Sequence, residues 1–151
     1  MPIAQINVAR FRVAKDDPAN AGFMDALDHV NAMADAADGF VWRLVGEGDA
    51  NDATAIEAVA GDADFIVNLS VWRDVASLEA FAYRQADHRS ILAQRKTWFD
   101  PIEPSFVLWP VAEGHVPSVT EGLAMLARLA AEGPHDEVFM FKWWREQRAK
   151  A

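Results

Sequence analysis

The stretch Asp64-Phe65-Ile66-Val67-Asn68-Leu69-Ser70-Val71-Trp72 decides the fold. Val67, Leu69 and Val71 alternate with Asn68, Ser70 and Trp72, the two-residue period of a β-strand whose neighbours point to opposite faces. Asp74 follows at a helix N-cap position, so this strand runs almost directly into a helix. Apolar spacing predicts that helical stretch from about Val75 to Phe99. A break is expected near Ala86-Asp87, where the spacing lapses and Asp87 can cap a second segment.

Toward the N-terminus, residues 3 to 11 also alternate apolar with polar side chains and are predicted as a strand. A turn at Lys15-Asp16-Asp17-Pro18 leads to Phe23, Leu27, Val30, Ala34 and Ala37, which recur at helical spacing. Gly39 stops that helix, and Phe40 to Val45 form a second strand. Residues 46 to 63 are a Gly-, Asp-, Asn- and Ala-rich connection with room for a short extra strand at Ala55 to Val59. Toward the C-terminus, Ser105 to Val111 is a strand bounded by Pro104 and Pro110, as suits a sheet edge. Ser118-Val119-Thr120-Glu121 is a capping box. It opens a helix with Leu123, Leu126, Leu129 and Ala130 as its apolar stripe, and Gly133-Pro134 ends it. Glu137 to Lys142 is predicted as a last strand.

The order is β-α-β-β-α-β with an appended helix and strand. It defines an α+β fold of ferredoxin-like type, an antiparallel sheet with both helices on one face. One domain over 1–151 is expected, with a core at about 3–112 and an extension at about 113–151.

Sorting the strands by alternation gives one aliphatic set: Ile6, Val8, Val41, Val45, Val67, Leu69 and Val71. That set is expected under the two helices. The opposite set is Gln5, Asn7, Phe40, Trp42, Leu44, Asn68, Ser70, Trp72, Val107 and Trp109. Tryptophans left in water would form a large apolar patch, which marks an interaction site. Either the chain's own C-terminal elements or a second copy must cover it. The tryptophans then serve as interface core, as the lining of a ligand cavity, or as both.

The formal charge of -9 argues against a nucleic-acid partner, which clustered Lys and Arg would hold. No cysteine is present, which removes disulfides, thiolate nucleophiles and zinc–thiolate sites. The start of the chain has no basic segment before an apolar run, and no apolar stretch approaches the ~20 residues that span a bilayer. Neither a signal peptide nor a membrane partner is expected, and the expected location is the cytoplasm.

Several stretches together resemble a bacterial family, the domain of unknown function 3291: GFVWRL (39–44), NLSVW (68–72), YRQADHR (83–89), TWF (97–99), VLWPVAEGHVPSVTEGL (107–123) and EVFMFK (137–142). The resemblance covers nearly the whole chain. It implies membership of the dimeric α/β-barrel superfamily, which also holds the antibiotic-biosynthesis monooxygenases. It therefore implies a homodimer and a cavity beside the sheet. Because that superfamily spans oxygenases, haem-processing enzymes and proteins without known catalysis, it fixes architecture better than function.

Three functions follow as expectations. The first is a binding or accessory protein holding a small apolar or aromatic molecule against Trp42, Trp72 and Trp109, with Asn7 and Asn68 orienting it. The second is a cofactor-independent, monooxygenase-like enzyme acting on an aromatic or polyketide-like substrate in the same pocket. There His88 or Tyr83 would move a proton, since a helix N-terminus favours the neutral imidazole base. The third is haem binding through His88; otherwise no cofactor is expected. His115 is read as an anchor for the loop before the capped helix, and Arg43 as pairing with an acid on the first helix. The histidines lie in four separate segments without ligand spacing, so no metal site is expected.

Overall fold

In the computed structural model, which describes residues 1–84 and 97–150, the alternating N-terminal stretch becomes β1 (Ile3–Phe11). The helical stripe becomes α1 (Ala21–Asp35). The elements β2 (Phe40–Arg43), β3 (Phe65–Trp72), α2 (Val75–Arg84), β4 (Phe99–Asp100) and β5 (Phe106–Pro110) follow, then α3 (Val119–Glu132) and α4 (Phe141–Lys150). The sheet order is β2-β3-β1-β4, with β5 also pairing β1, and every pairing is antiparallel. This is the ferredoxin-like order, with the place beside β1 split between the short β4 and β5.

Local signals set most boundaries. The Asp74 carboxylate accepts from the Ser77 N–H at 2.8 Å, capping α2, and the Ser118 hydroxyl accepts from the Glu121 N–H at 3.1 Å, capping α3. Hydrogen bonds from the Ser77 hydroxyl, then from its N–H, hold the Asp74 carboxyl below its usual range. A depressed carboxyl contributes stability above its unfolded pKa, and that contribution is lost as pH falls through the folded value. Asp74→Ala should therefore cost about 1 kcal/mol near neutrality. In urea melts, its gap from the parent chain should shrink below pH ~4; a gap independent of pH would contradict the assignment.

Register decides the faces. β1 pairs β3 with Gln5 opposite Ser70, Asn7 opposite Asn68 and Ile6 opposite Leu69. The Ile6 face carries Ala4, Val8, Val67, Leu69 and Val71, and α3 covers it with Leu123, Leu126 and Leu129. At the closest approach, a methyl on Gly122 would fall 2.7 Å from Ile6 Cδ1, so any side chain there would have to displace Ile6 where α3 meets the sheet. The opposite face, with Ile3, Trp72 and the amides, lies under α1 and α2.

Six expectations are corrected. The two helices cover the tryptophan-and-amide face rather than the aliphatic one. Trp42 and Trp109 share the aliphatic face, since the β2 register shifts between Phe40 and Trp42, while β5 pairs Trp109 with Ala4 and Val107 with Ile6. Val41 and Val45 are exposed (55% and 42%) rather than buried under helices. Residues 137–142 do not form a strand: Phe139 makes an isolated bridge to Leu108 of its own chain, and helix α4 starts at Phe141. Phe99 opens β4 instead of closing a helix, and residues 55–59 are irregular and form no strand. The expected break near Ala86-Asp87 lies outside the described residues.

Candidate functional site

Between the amide face of the sheet and the helices α1 and α2 lies a cavity of about 350 Å³. Its walls are aromatic and aliphatic: Phe23, Leu27 and Val30 from α1, Leu78 and Phe81 from α2, Phe106 from β5 and Phe141 from α4. Trp72 closes one end. It is 1% exposed, stacks on Phe81 with centroids 5.4 Å apart, and takes the edge of Phe40 at 5.4 Å. Phe141 wedges between Phe106 and Tyr83, at 5.2 and 5.4 Å. Arg145, one helical turn further on, lies 4.9 Å over the Tyr83 ring and bonds Glu79 at 2.6 Å. Helix α4 is thereby fastened to α2 beside the cavity.

The floor is polar and already organised. The Trp72 indole N–H can only donate, and it does so to the Ser70 hydroxyl oxygen at 2.9 Å. The Gln5 carboxamide, 2% exposed, donates to the same oxygen at 2.8 Å and to Asn68 Oδ1 at 2.6 Å. Its own oxygen accepts from Asn7 Nδ2 at 3.3 Å. These cross-strand contacts arise because the register sets Gln5 opposite Ser70 and Asn7 opposite Asn68. In the roof, Asn31 of α1 is 5% exposed and lines the cavity, and its side chain has no hydrogen-bond partner among the described residues.

Asn7, Asn68, Trp72 and Tyr83 thus meet around one cavity. Trp42 and Trp109 do not join them. The Trp109 indole, on the other face, donates to Glu121 at 2.9 Å, and the second oxygen of Glu121 meets His115 Nε2 at 2.7 Å. His115 therefore anchors the start of α3, as its position before the capping box predicts. Glu121 serves that contact and the indole, so no return bond to the Ser118 N–H is formed among the described residues. Arg43 pairs with Asp35 of α1 at 2.7 Å, also as predicted, and its guanidinium holds Asn51 in the following loop. His88 lies outside the described residues. Asn31 is the lining residue that the strand-by-strand sorting could not reach. Its signal is an amide inside the apolar stripe Leu27, Val30, Ala34 of α1.

Among the described residues no cluster of His, Cys, Asp or Glu could hold a metal ion, and no helix is long and apolar enough to cross a membrane. The architecture is that of a ferredoxin-like α+β protein with a ligand-sized cavity between its sheet and its own helices. A family model, the domain of unknown function DUF3291, matches residues 2–151. The chain belongs to that family.

Solved structures share the fold at low identity. Rv0793 of Mycobacterium tuberculosis matches at 18% identity and a TM-score of 0.54, covering 76% of this chain and 100% of its own. A conserved protein of Methanosarcina mazei matches at 13% and 0.53, covering 74% and 94%. A variant of SnoaB, a cofactor-independent oxygenase of Streptomyces nogalater, matches at 14% and 0.51, covering 78% and 98%. These likenesses show a shared fold. No curated protein matches the sequence.

Proposed function

We propose that the protein binds a small, planar, largely apolar fused-ring molecule between its sheet and helices, with the polar edge of the ligand on the Asn7–Asn68 floor. The observation that carries this reading is the pairing of aromatic walls with a hydrogen-bonded carboxamide floor in one cavity. At about 350 Å³ the cavity falls at the small end of ligand sites, ~300–1,000 Å³. Apolar walls supply affinity through surface removed from water, and fixed amides supply orientation.

Calorimetric titration with 2-naphthol and 2-quinolone tests it. At least one should bind with a Kd in the micromolar range, and Ala34→Phe, which places a ring in the cavity beside Trp72, should weaken that binding at least ten-fold. Failure of both compounds to bind, or tight binding undiminished by the filled cavity, contradicts the proposal.

Cofactor-independent oxygenation is the second reading, favoured by the fold shared with SnoaB together with Tyr83 at the cavity wall. Among the described lining residues, Tyr83 and Asp52 carry ionisable oxygens that can take part in proton transfer from a phenol or activated C–H. Amide donors on the floor would stabilise the resulting enolate oxygen. Oxygen-electrode traces with 1-naphthol should then show uptake that falls in Tyr83→Phe; uptake equal in both proteins would remove Tyr83 from the chemistry. No cofactor is part of this proposal. Haem would have to take Tyr83 as its ligand among the described lining residues, and a Soret band on adding hemin, lost in Tyr83→Phe, would replace both readings.

The homodimer also belongs to the proposal. Because α3 occupies the aliphatic sheet face, pairing would use another surface, and the cavity needs no second copy to complete its described walls.

A further inference from the structure

The carboxamides around the cavity specify more than a polar edge. Gln5 has one carbonyl end and one amino end, and it bridges Asn7 with one and Asn68 with the other. Whichever way round the amides are drawn, Asn7 and Asn68 must use groups of opposite character on Gln5. In one arrangement Asn7 spends an N–H and keeps its oxygen, while Asn68 spends its oxygen and keeps its N–H groups. Reversal of all three amides exchanges the two roles. Either way, the cavity is offered one acceptor and one donor side by side on neighbouring strands. The Ser70 oxygen, fixed by the Trp72 indole, keeps the relay in place from beneath.

A second observation points to the same ligand. Asn31, on the helix above this floor, is 5% exposed, lines the cavity and has no hydrogen-bond partner for its side chain among the described residues. No buried side-chain nitrogen or oxygen among the described residues lacks a partner, so the Asn31 carboxamide has its polar atoms open to the cavity space, where a carboxamide can supply both a donor and an acceptor. An amide in the apolar stripe of α1 gains nothing from packing; it gains from a polar atom inside the cavity.

Resting on the proposed cavity function, we propose that the ligand carries a hydrogen-bond donor and a carbonyl acceptor on adjacent atoms of one ring edge. A fused-ring lactam has that edge, and it would be clamped between the Asn7–Asn68 floor and Asn31. A naphthol offers one oxygen and would leave part of the clamp unpaired. An N-alkylated lactam keeps the carbonyl and presents a methyl where the donor should be. Sites built to bond a particular N–H discriminate strongly against analogues that lack it.

The test is calorimetric titration of the full chain with 2-quinolone, N-methyl-2-quinolone and 2-naphthol, repeated on Asn31→Leu and Asn68→Leu, with melting temperatures of every variant. The parent chain should bind 2-quinolone at least ten-fold more tightly than the other two compounds. Each variant should lose most of that preference while still binding 2-naphthol. Asn31→Leu should melt no lower than the parent, since it removes an amide that opens on the cavity and has no side-chain partner among the described residues; a merely structural Asn31 would lower the melting temperature and leave the preference intact. Equal affinity of the parent for all three compounds, or a preference unchanged in both variants, overturns the donor–acceptor clamp and leaves the cavity reading standing. No binding of any compound overturns the cavity reading and this inference together. Should a variant fail to fold, the parent's preference alone decides the outcome.

Discussion

Trp72→Ala should abolish measurable binding of a fused-ring ligand and destabilise the protein by about 3–5 kcal/mol, whereas Trp109→Ala should destabilise comparably and leave affinity unchanged. Both indoles are almost wholly buried, 1% and 2% exposed, so composition and burial do not separate them. The faces do. Trp72 walls the cavity, stacks on Phe81 and fixes the Ser70 oxygen from which the Gln5 relay is built. Removing it deletes a wall and frees the floor in one step. Trp109 sits among Ile6, Val107 and Leu129 under α3, with its N–H spent on Glu121. Denaturant melts and titrations on the two variants check this; a binding loss in Trp109→Ala matching that in Trp72→Ala would mean that the faces are assigned wrongly.

Gly39→Val should cost on the order of 3 kcal/mol. The residue adopts φ +88° at the exit from α1 into β2, a left-handed conformation that costs a side-chain-bearing residue ~1–2 kcal/mol. The added Cβ would also collide with the Ser77 side chain at the start of α2, and overpacking of this kind costs ~1–3 kcal/mol. Gly39 is moreover held in place, since its carbonyl accepts from the Arg73 N–H at 2.7 Å. Because the turn sets α1 over the sheet, the cavity should loosen along with the fold. A urea midpoint within error of the parent would contradict this. Gly48→Val is the control, because its φ is also positive, at +66°, but nothing lies within 4 Å of an added Cβ. It should retain only the backbone part of the cost.

How the sequence foretold the site, and where it did not, follows from what alternation encodes. Within β1 and β3 the period of two sorts side chains correctly: Gln5, Asn7, Asn68, Ser70 and Trp72 do share one face. Alternation carries no phase from one strand to the next. β2 contains an irregularity between Phe40 and Trp42, so Phe40 joins Trp72 while Trp42 crosses to the Val71 side. β5 is joined to the core only through its register with β1, which a local pattern cannot supply. Residue type also misled about which layer lies where. Valines and leucines look like the natural bed for α1 and α2, yet both faces are covered, and the aliphatic one takes the Leu123, Leu126 and Leu129 stripe of α3. The amides look like an exposed or interface surface, and Asn68 is indeed exposed and Asn7 half-buried, yet they line the cavity through the buried Gln5, whose polar atoms pair with both. The caps at Asp74 and Ser118, the stop at Gly39 and the Arg43–Asp35 pair were legible because each depends on a few neighbouring residues. Asn31 was not, since its meaning comes from the sheet face opposite, distant in sequence.

The cavity wall also gives the C-terminal extension a function distinct from closing the sheet. Its two parts act on opposite faces: α3 seals the aliphatic side, while Phe141 and Arg145 of α4 reach the cavity side through Phe106, Tyr83 and Glu79. The bridge between Phe139 and Leu108 is the point at which the chain passes from one face to the other.

The most direct measurement is a nitrogen-15 correlation spectrum of side-chain amide and indole N–H groups, recorded while 2-quinolone is added. Ligand held between sheet and helices should move the signals of Asn31, Asn68 and the Trp72 indole together, with the Trp42 and Trp109 indoles unmoved. Shifts confined to Trp42 and Trp109, with the Asn31 and Trp72 signals static, would put the ligand on the other side of the sheet and contradict the account.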